Sequence, residues 1–184
     1  MNNKRVWKVM SFIGIAILAV IMIGSIYTVN VRYPQRVEEE ITQGDFFELK
    51  KGVEMCIVDS RWLSSTDLQG EYGDVWYVDN PSAYKAVEVK IKLKNKTDKK
   101  KKISLFKIYI ESDQYDWNGS DADLFVTKNN DSLEIPLDPG EEREYTMPYT
   151  FLKDNYKESA WKTLSEGEYF LVAECYPLKV KWRL

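Results

Sequence analysis

The side chains that most often carry out acid–base chemistry are poorly represented in this sequence. It contains no histidine, which removes the commonest general base and the commonest metal ligand. The S-x-x-K spacing of β-lactam-type acyl transfer occurs at Ser104–Lys107 and Ser159–Lys162, but no S-D-N or K-T-G motif completes either site. The carboxylate runs Glu38–Glu40 and Glu141–Glu144 fall in a predicted stalk and beside a Pro-Gly turn, where solvated charge is more common than catalysis. We therefore predict that the protein is not an enzyme.

Oxygen ligands for a cation are concentrated in one segment, which contains Asp113, Asp116, Asn118, Asp121 and Asp123. A calcium-binding EF-hand loop needs glycine at its sixth position and glutamate at its twelfth. In DWNGSDADLF, Gly119 instead falls at the fourth position. We predict no cofactor and no metal site, and interpret the segment as a polar turn. An irregular calcium site remains the alternative.

Two predicted loops combine Trp and Tyr with acidic residues and glycine: RWLSSTDLQGEYGDVWYVDNPSAY (Arg61–Tyr84) and DQYDWNGSDADLF (Asp113–Phe125). Loops carry a large share of binding residues, and Trp and Tyr are enriched at binding hot spots. The alternative is that these aromatic rings fold back and cover the end of a small core. The residues that we predict to bind a ligand are Trp62, Tyr72, Trp76, Tyr77, Tyr115 and Trp117.

Cys56 and Cys175 are the only cysteines, and each lies in a strand-like run. Outside the cytoplasm a disulfide can persist, so a Cys56–Cys175 bridge is one interpretation. The other is a pair of buried free thiols, since free cysteine behaves as a small buried hydrophobe.

Four consecutive lysines, Lys99, Lys100, Lys101 and Lys102, suggest an anionic partner. A nucleic-acid partner is excluded by the balance of 26 basic and 29 acidic residues, a net charge of −3, because nucleic-acid-binding domains are usually strongly basic. Two interpretations remain for these lysines. They form a membrane-proximal basic turn that faces anionic lipid, or they are solvated lysines that protect a strand edge.

The segment Val9–Val31 carries no charge and is long enough to span a bilayer, which takes about 20 apolar residues. Lys4, Arg5 and Lys8 precede it, which predicts a cytoplasmic N-terminus at residues 1–8, a transmembrane signal anchor at 9–29 and an extracytoplasmic remainder. Without these three cations, 23 basic and 29 acidic residues remain outside, a net charge of −6. A cleaved signal peptide is the alternative, but its apolar region is usually shorter and ends in an A-x-A-like site.

Residues 30–51 are predicted to form a polar stalk, and residues 52–184 a β-rich domain. Val87, Val89, Ile91 and Leu93 alternate with charged residues, which is the period-2 pattern of a half-buried strand. The same pattern predicts that Phe106, Ile108 and Ile110 share one face of a later strand. Turn signals such as DPGE and SEGE separate six to eight such strands, as in an antiparallel sandwich.

The segments LDPGEEREYTMPYTF and EGEYFLVAE resemble the second half of immunoglobulin-like sandwiches found in membrane-anchored extracytoplasmic proteins of Gram-positive bacteria, of unknown function. The front segment RYPQRVEEEITQGDFFELKKGVEM is similar to the anchor-proximal part of such proteins. Glu166, Gly167 and Tyr169 resemble a tyrosine corner. Cys175 follows Tyr169 by six residues rather than two, so an antibody-type core bridge is not implied.

This resemblance implies an all-β fold, namely an immunoglobulin-like antiparallel β-sandwich preceded by a single N-terminal transmembrane helix. We predict a non-catalytic binding module that is anchored in the cell membrane and binds a protein or cell-envelope ligand. If the first strand runs away from the membrane, the aromatic loops are distal and the lysine turn is proximal. The alternative function is an accessory or immunity-type subunit of a membrane complex that acts through its anchor, and an envelope enzyme ranks third.

Overall fold

The computed structural model describes residues 3–34, 37–73, 75, 80–112, 116–174 and 178–184. The chain divides into two units, Met1–Val37 and Glu38–Leu184. Each unit has its own organisation and is described separately below.

The first unit is built around helix α1, Asn3–Arg32. Its 21-residue segment Phe12–Arg32 contains an 18-residue window with a mean hydropathy of 2.4. The described side chains of this segment are exposed on every side of the helix. An isolated helix of this length and composition is long and apolar enough to cross a membrane. The apolar helix that the sequence predicts before the sandwich is therefore present.

The second unit is a β-sandwich, as predicted. Sheet A has the strand order β1-β11-β10-β6-β7, and sheet B has the order β2-β3-β4-β9. The strands β5 and β8 form a separate two-stranded sheet. The strand bounds are β1 Val37–Ile41, β2 Phe47–Lys50, β3 Val53–Leu63, β4 Tyr84–Asn95, β5 Lys101–Ser104, β6 Tyr109–Ser112, β7 Asp116–Gly119, β8 Glu134–Leu137, β9 Glu142–Leu152, β10 Phe170–Glu174 and β11 Leu178–Arg183.

The strand order is that of an immunoglobulin-like domain. In such domains strands A, B and E are neighbours in one sheet, and strands C, F and G are neighbours in the other. Here β3, β4 and β9 occupy the first set of positions, and β6, β10 and β11 occupy the second. Among the described residues, three short α-helices lie between the strands: α2 Ser65–Tyr72, α3 Ala122–Asn129 and α4 Glu158–Thr163.

The core lies between sheets A and B, and the alternation in β4 is confirmed. Val89, Ile91 and Leu93 are fully buried, whereas Lys90 is exposed. Tyr169 just precedes β10, and its hydroxyl donates to the Leu164 carbonyl oxygen at 2.8 Å. This is the bond of a tyrosine corner, at the start of the strand equivalent to F. The resemblance predicted it correctly.

The chain after the lysine turn does not form one continuous strand. A 3-10 turn, Leu105–Lys107, separates β5 from β6 and changes the strand parity. Leu105 is buried and Phe106 is 63% exposed. The prediction that Phe106 shares a face with Ile108 and Ile110 is therefore wrong. The turn is needed because β5 pairs with β8, whereas β6 belongs to sheet A.

Much of the predicted stalk, residues 30–51, belongs to the sandwich. Residues 37–50 supply β1 at one edge of sheet A and β2 at one edge of sheet B. Phe47 packs edge-on against Trp182 in the core, with ring centroids 6.1 Å apart. Glu38 and Glu40 form ion pairs with cations of β11. The acidic run is polar because these strands are edge strands, not because the segment lies outside the fold.

Candidate functional site

Trp62 and Tyr72, two of the predicted binding residues, belong to the packed interior. The Trp62 ring stacks on Phe151 at 5.4 Å and meets Tyr169 at 5.2 Å. Tyr72, the last residue of α2, is fully buried. For these two residues the alternative, aromatic rings that cover a core, is the correct one. Trp76, Tyr77 and Tyr115 lie outside the described residues.

Of the predicted binding residues that the structure describes, Trp117 is the exposed one. It lies on β7, and 70% of its surface is accessible. Trp117 pairs with Glu111 in the neighbouring strand β6, and Tyr109 pairs with Gly119, so all four positions share the outer face of sheet A. The Tyr109 and Trp117 rings meet edge to face, with centroids 5.7 Å apart. We call the surface formed by Tyr109, Trp117 and Gly119 the aromatic platform.

The backbone of β7 leaves open space beside the Trp117 ring. A Cβ atom added at Gly119 would meet no atom within 4 Å. Because Gly119 and Trp117 are two residues apart on one strand, they lie next to each other on the same face. The platform is therefore open above Gly119.

Several charged groups on the outer face of sheet A are paired with one another. Lys179, whose side chain is almost fully buried, forms ion pairs with Glu111 and Glu38. Lys181 also binds Glu38, and its hydrogen bond helps to hold the pKa of that carboxyl below its usual value. Arg183 pairs with Glu168 at 2.8 Å. This side of sheet A thus presents an aromatic patch bordered by neutralised charges.

A β-bulge organises the opposite face of the domain. Ile57 pairs with Ile91 and Asp59 pairs with Lys90, so Val58 is an extra residue in β3. Beyond the bulge, inward and outward positions exchange. Trp62 pairs with Val87 and turns towards the core, while Arg61 pairs with Glu88 on the outer face of sheet B. Without the extra residue, Arg61 would point inward.

Arg61 enters a network of charged groups that sequence analysis did not identify. Glu88 is only 4% exposed and accepts from Arg61 Nε at 2.8 Å and from the Tyr72 hydroxyl. Glu71 of α2 bridges Arg61 Nη2, at 2.6 Å, and Lys128 of α3. Hydrogen bonds from Lys128 and Arg61 lower the pKa of Glu71. Burial, together with the bond to Glu88, raises the pKa of Tyr72 far above its ordinary value.

This network fastens α2 and α3 to sheet B. It borders a small apolar cluster formed by Leu63, Leu68, Tyr72, Val75, Ala86 and Leu124. A shallow cleft of about 190 Å³ opens beside Arg61 and Glu88. Each acid in the network is bonded to a cation, and Tyr72 donates to Glu88, so the arrangement is suited to holding helices. The sequence signal for it is weak, because the bulge that turns Arg61 outward is invisible in a period-2 pattern.

The outer edge of β9 is closed by side chains. The Nδ2 atom of Asn129 donates to the Thr146 carbonyl oxygen at 2.8 Å, and its Oδ1 atom accepts from the Thr146 backbone N–H at 2.9 Å. A neighbouring strand would make the same pair of bonds. Pro148 has no amide hydrogen, and its carbonyl oxygen accepts from the backbone of Asp121. Such closure prevents pairing with another chain along this stretch.

The lysine turn is organised around Asn95, which is fully buried. Its side-chain amide donates to the carbonyl oxygens of Lys99, Leu137 and Asp138, and its oxygen accepts from Thr97.

Lys100 pairs with Asp138 and Lys102 pairs with Glu134. Lys99 and Lys101 form no ion pair within the described part of the chain. The turn lies at the end of sheet B where β3 begins, since Val53 pairs with Asn95. Its position relative to lipid stays a prediction.

Cys56 is buried on β3 and forms no disulfide with a described residue, and burial raises the pKa of its thiol. Cys175 is outside the described residues, so the disulfide remains a prediction.

The described residues contain no cluster of three or more Cys, Asp or Glu able to hold a metal ion. Of the predicted oxygen donors, Asp121 caps α3, accepting from the Leu124 amide at 3.1 Å, and also accepts from the Thr150 hydroxyl at 2.8 Å. Its carboxylate thus has a structural role.

Comparison with known proteins gives a family and several structural relatives. The family described as "Domain of unknown function (DUF5028)" matches residues 33–180. An uncharacterized β-sandwich protein from Clostridium difficile 630 has 9% identity and a TM-score of 0.48, over 82% of this chain and 96% of that one. The yjhA protein from Bacillus subtilis has 8% identity and a TM-score of 0.45, over 78% of this chain and 98% of that one. A conserved hypothetical protein from Bacillus anthracis has 12% identity and a TM-score of 0.44, over 71% and 87%. No curated protein matches the chain.

Proposed function

The chain belongs to the DUF5028 family, a domain of unknown function, and on that premise we propose that it is a non-catalytic binding module, held at the outer face of a membrane by α1. The observation that carries the proposal is the exposure of Trp117 on a regular strand. Exposed tryptophan is enriched at binding hot spots. Its position on a paired strand means that little ordering is needed when a ligand binds.

The composition of α1 supports the membrane attachment. A helix that is apolar on every side has no polar face to present to water. Lys4, Arg5 and Lys8 precede the apolar segment. By the positive-inside rule, the N-terminus is then cytoplasmic and the sandwich lies outside.

The bonding of the buried charges supports a non-catalytic role. Glu88 and Lys179 are the charged residues most deeply buried among those described, and both are engaged by oppositely charged neighbours. Neither is left for proton transfer to a substrate. We therefore assign these groups to stabilising the fold, and the binding role to the aromatic platform.

Protease protection tests the topology. Protease added to intact cells should degrade the sandwich and spare the N-terminus. A shortened chain released into the medium would instead indicate a cleaved signal peptide.

Site-specific photo-crosslinking tests the binding role. A photoreactive residue replacing Trp117 should yield a discrete product in intact cells. The same residue replacing Phe106, an exposed aromatic position that is not part of the platform, should not. If neither position gives a product, the platform is not a binding surface. Replacing residues 9–29 with an unrelated membrane-spanning sequence should leave the product unchanged. Its loss would favour an accessory subunit that acts through its anchor.

A further inference from the structure

We propose that the aromatic platform binds an uncharged pyranose ring of a cell-envelope glycan. The inference rests on the proposed function and specifies the chemical class of the ligand. Three properties of the platform support it: its size, the state of the charges around it, and the shape of the surface beside Trp117.

The size of the platform suits one or two sugar rings. A large aromatic side chain buries about 150–250 Å² when fully covered, so Tyr109 and Trp117 together offer at most a few hundred Å². A stable protein interface buries about 800 Å² on each partner, with an apolar centre. The platform is bordered instead by Glu111 of β6, which pairs with Trp117 across the strands and is bound by Lys179 of β11. An area of this size cannot form the core of a protein interface, but it covers one face of a small ring.

The charges around the platform favour a neutral ligand. Glu111 is bound by Lys179, Lys181 is bound by Glu38, and Arg183 is bound by Glu168. A charged ligand would have to break one of these pairs to gain a partner, and would lose its own hydration as well. An uncharged ligand with hydroxyl groups can instead accept or donate hydrogen bonds at the border without disturbing the pairs.

The shape of the platform fits the flat face of a pyranose. One face of such a ring carries axial C–H groups, which are weakly positive and apolar. The face of an indole ring is negative because of its quadrupole, so the two surfaces complement each other. The edge-on contact with Tyr109 holds the Trp117 ring in place. The open space above Gly119 gives the sugar room to lie against the strand.

The test is a titration of the full-length protein in lipid nanodiscs, free of glycolipid and of glycoside detergents, which would compete. The probes are chitotetraose and maltotetraose, two uncharged pyranose oligomers that differ in ring substituents and linkage. The readout is the set of indole N–H NMR signals, with Trp117 identified by its disappearance in Trp117→Ala. We expect a saturable shift of the Trp117 signal with at least one oligomer.

Four variants locate the binding, with the shifts of the remaining signals and ligand-observed saturation transfer as readouts. Trp117→Ala should weaken binding at least tenfold, and Trp117→Tyr should retain part of it. Gly119→Val should weaken binding while keeping both aromatic rings, because it fills the open space. Phe106→Ala should bind like the wild type. Circular dichroism should show the same folded content in all four proteins.

Two results would overturn the inference. One is the absence of any shift with both oligomers. The other is binding that survives in Trp117→Ala. If the photoreactive residue at position 117 captures a protein while neither oligomer binds, the binding module stands and the sugar assignment fails. If crosslinking also fails, both proposals fall.

Discussion

Arg61 and Glu88 face each other across β3 and β4, with Arg61 Nε donating to the Glu88 carboxylate at 2.8 Å. Glu88 is almost completely buried, whereas about half of the Arg61 side chain remains exposed. Lys128 and the Tyr72 hydroxyl complete the surroundings of the Glu88 carboxylate. This one carboxylate therefore links sheet B to both α2 and α3.

Removing the Glu88 carboxylate should destabilise the domain strongly. In Glu88→Ala the buried Tyr72 hydroxyl loses its acceptor, and Arg61 and Lys128 lose a counter-charge. We expect a loss of about 3 kcal/mol in the free energy of unfolding, measured by urea denaturation of residues 38–184. The control is Glu144→Ala, which removes an exposed partner of Lys92 and should cost no more than about 1 kcal/mol. Equal losses would contradict the assigned role of Glu88.

The presence of a residue at position 58 should be essential for folding, whereas the Val58 side chain should contribute little to stability. Val58 is partly exposed, so Val58→Ala should change the unfolding free energy by less than about 1 kcal/mol. Deleting Val58 removes the bulge, and would turn Arg61 towards the core and Trp62 towards solvent. We expect no cooperative thermal transition for the deletion variant. A deletion variant that melts like the wild type would show that the strand pairing can shift.

Asn95 should contribute more to stability than any lysine of the turn that it supports. Asn95→Ala leaves the carbonyl oxygens of Lys99, Leu137 and Asp138 without this donor. An unsatisfied buried polar group costs about 1–3 kcal/mol, and we expect a loss of about 2 kcal/mol or more in a denaturant melt. Lys99→Ala is the matched control and should cost within about 0.5 kcal/mol. A larger loss for Lys99→Ala would refute this assignment.

The pair formed by Glu71 and Lys128 should make stability depend on acid pH. The pKa of Glu71 lies below its ordinary value of 4.5, chiefly because Lys128 donates to it. The unfolded chain therefore binds a proton at a higher pH than the folded chain does. The stabilisation by Glu71 is fully present above pH 4.5 and is lost as the pH falls through the folded pKa.

A double-mutant cycle can check this dependence. The variants are Glu71→Gln, Lys128→Gln and the two combined, and the quantity is the coupling energy from their unfolding free energies. The coupling should be favourable at neutral pH and should shrink at successive pH values below 4.5. A coupling energy that stays constant with pH would rule out Glu71 ionisation as its origin.

The lysine turn should promote contact with anionic lipid. Lys99 and Lys101 extend from the turn without an ion pair among the described residues, and Lys100 and Lys102 are exposed. Changing Lys99, Lys100, Lys101 and Lys102 to Gln in residues 38–184 should weaken co-sedimentation with anionic vesicles at low salt. The difference should fade near 0.15 M salt, where screening acts over about 8 Å.

A charge-matched control is available on other surfaces of the domain. The exposed lysines Lys107, Lys153, Lys157 and Lys162 carry the same number of charges. Changing these four to Gln should have a smaller effect on sedimentation. If both sets have the same effect, binding reflects net charge alone and the turn only protects the strand edge.

The spacing of apolar residues along the sequence was enough to predict much of the architecture. Alternation in β4 predicts which of its side chains enter the core, because successive residues of a strand point to opposite faces. The uninterrupted apolar segment predicts α1 by its length alone. The short motif around Tyr169 predicts the corner before β10, since its hydrogen bond joins residues only five positions apart. These features depend on local spacing, which a single sequence displays.

The candidate site was decided by tertiary contacts. Trp62 and Trp117 lie in similar loops by composition, yet the Val58 bulge turns Trp62 into the core, while pairing with β6 places Trp117 on an outer face. The polar segment before β3 is part of both sheets because β2 forms a hairpin with β3, while β1 pairs with β11, which is distant in sequence. A bulge adds one residue without changing composition, and it reverses the face of each residue that follows in the strand. Which aromatic ring reaches solvent therefore depends on how the strands pair, and strand pairing is a property of the folded chain.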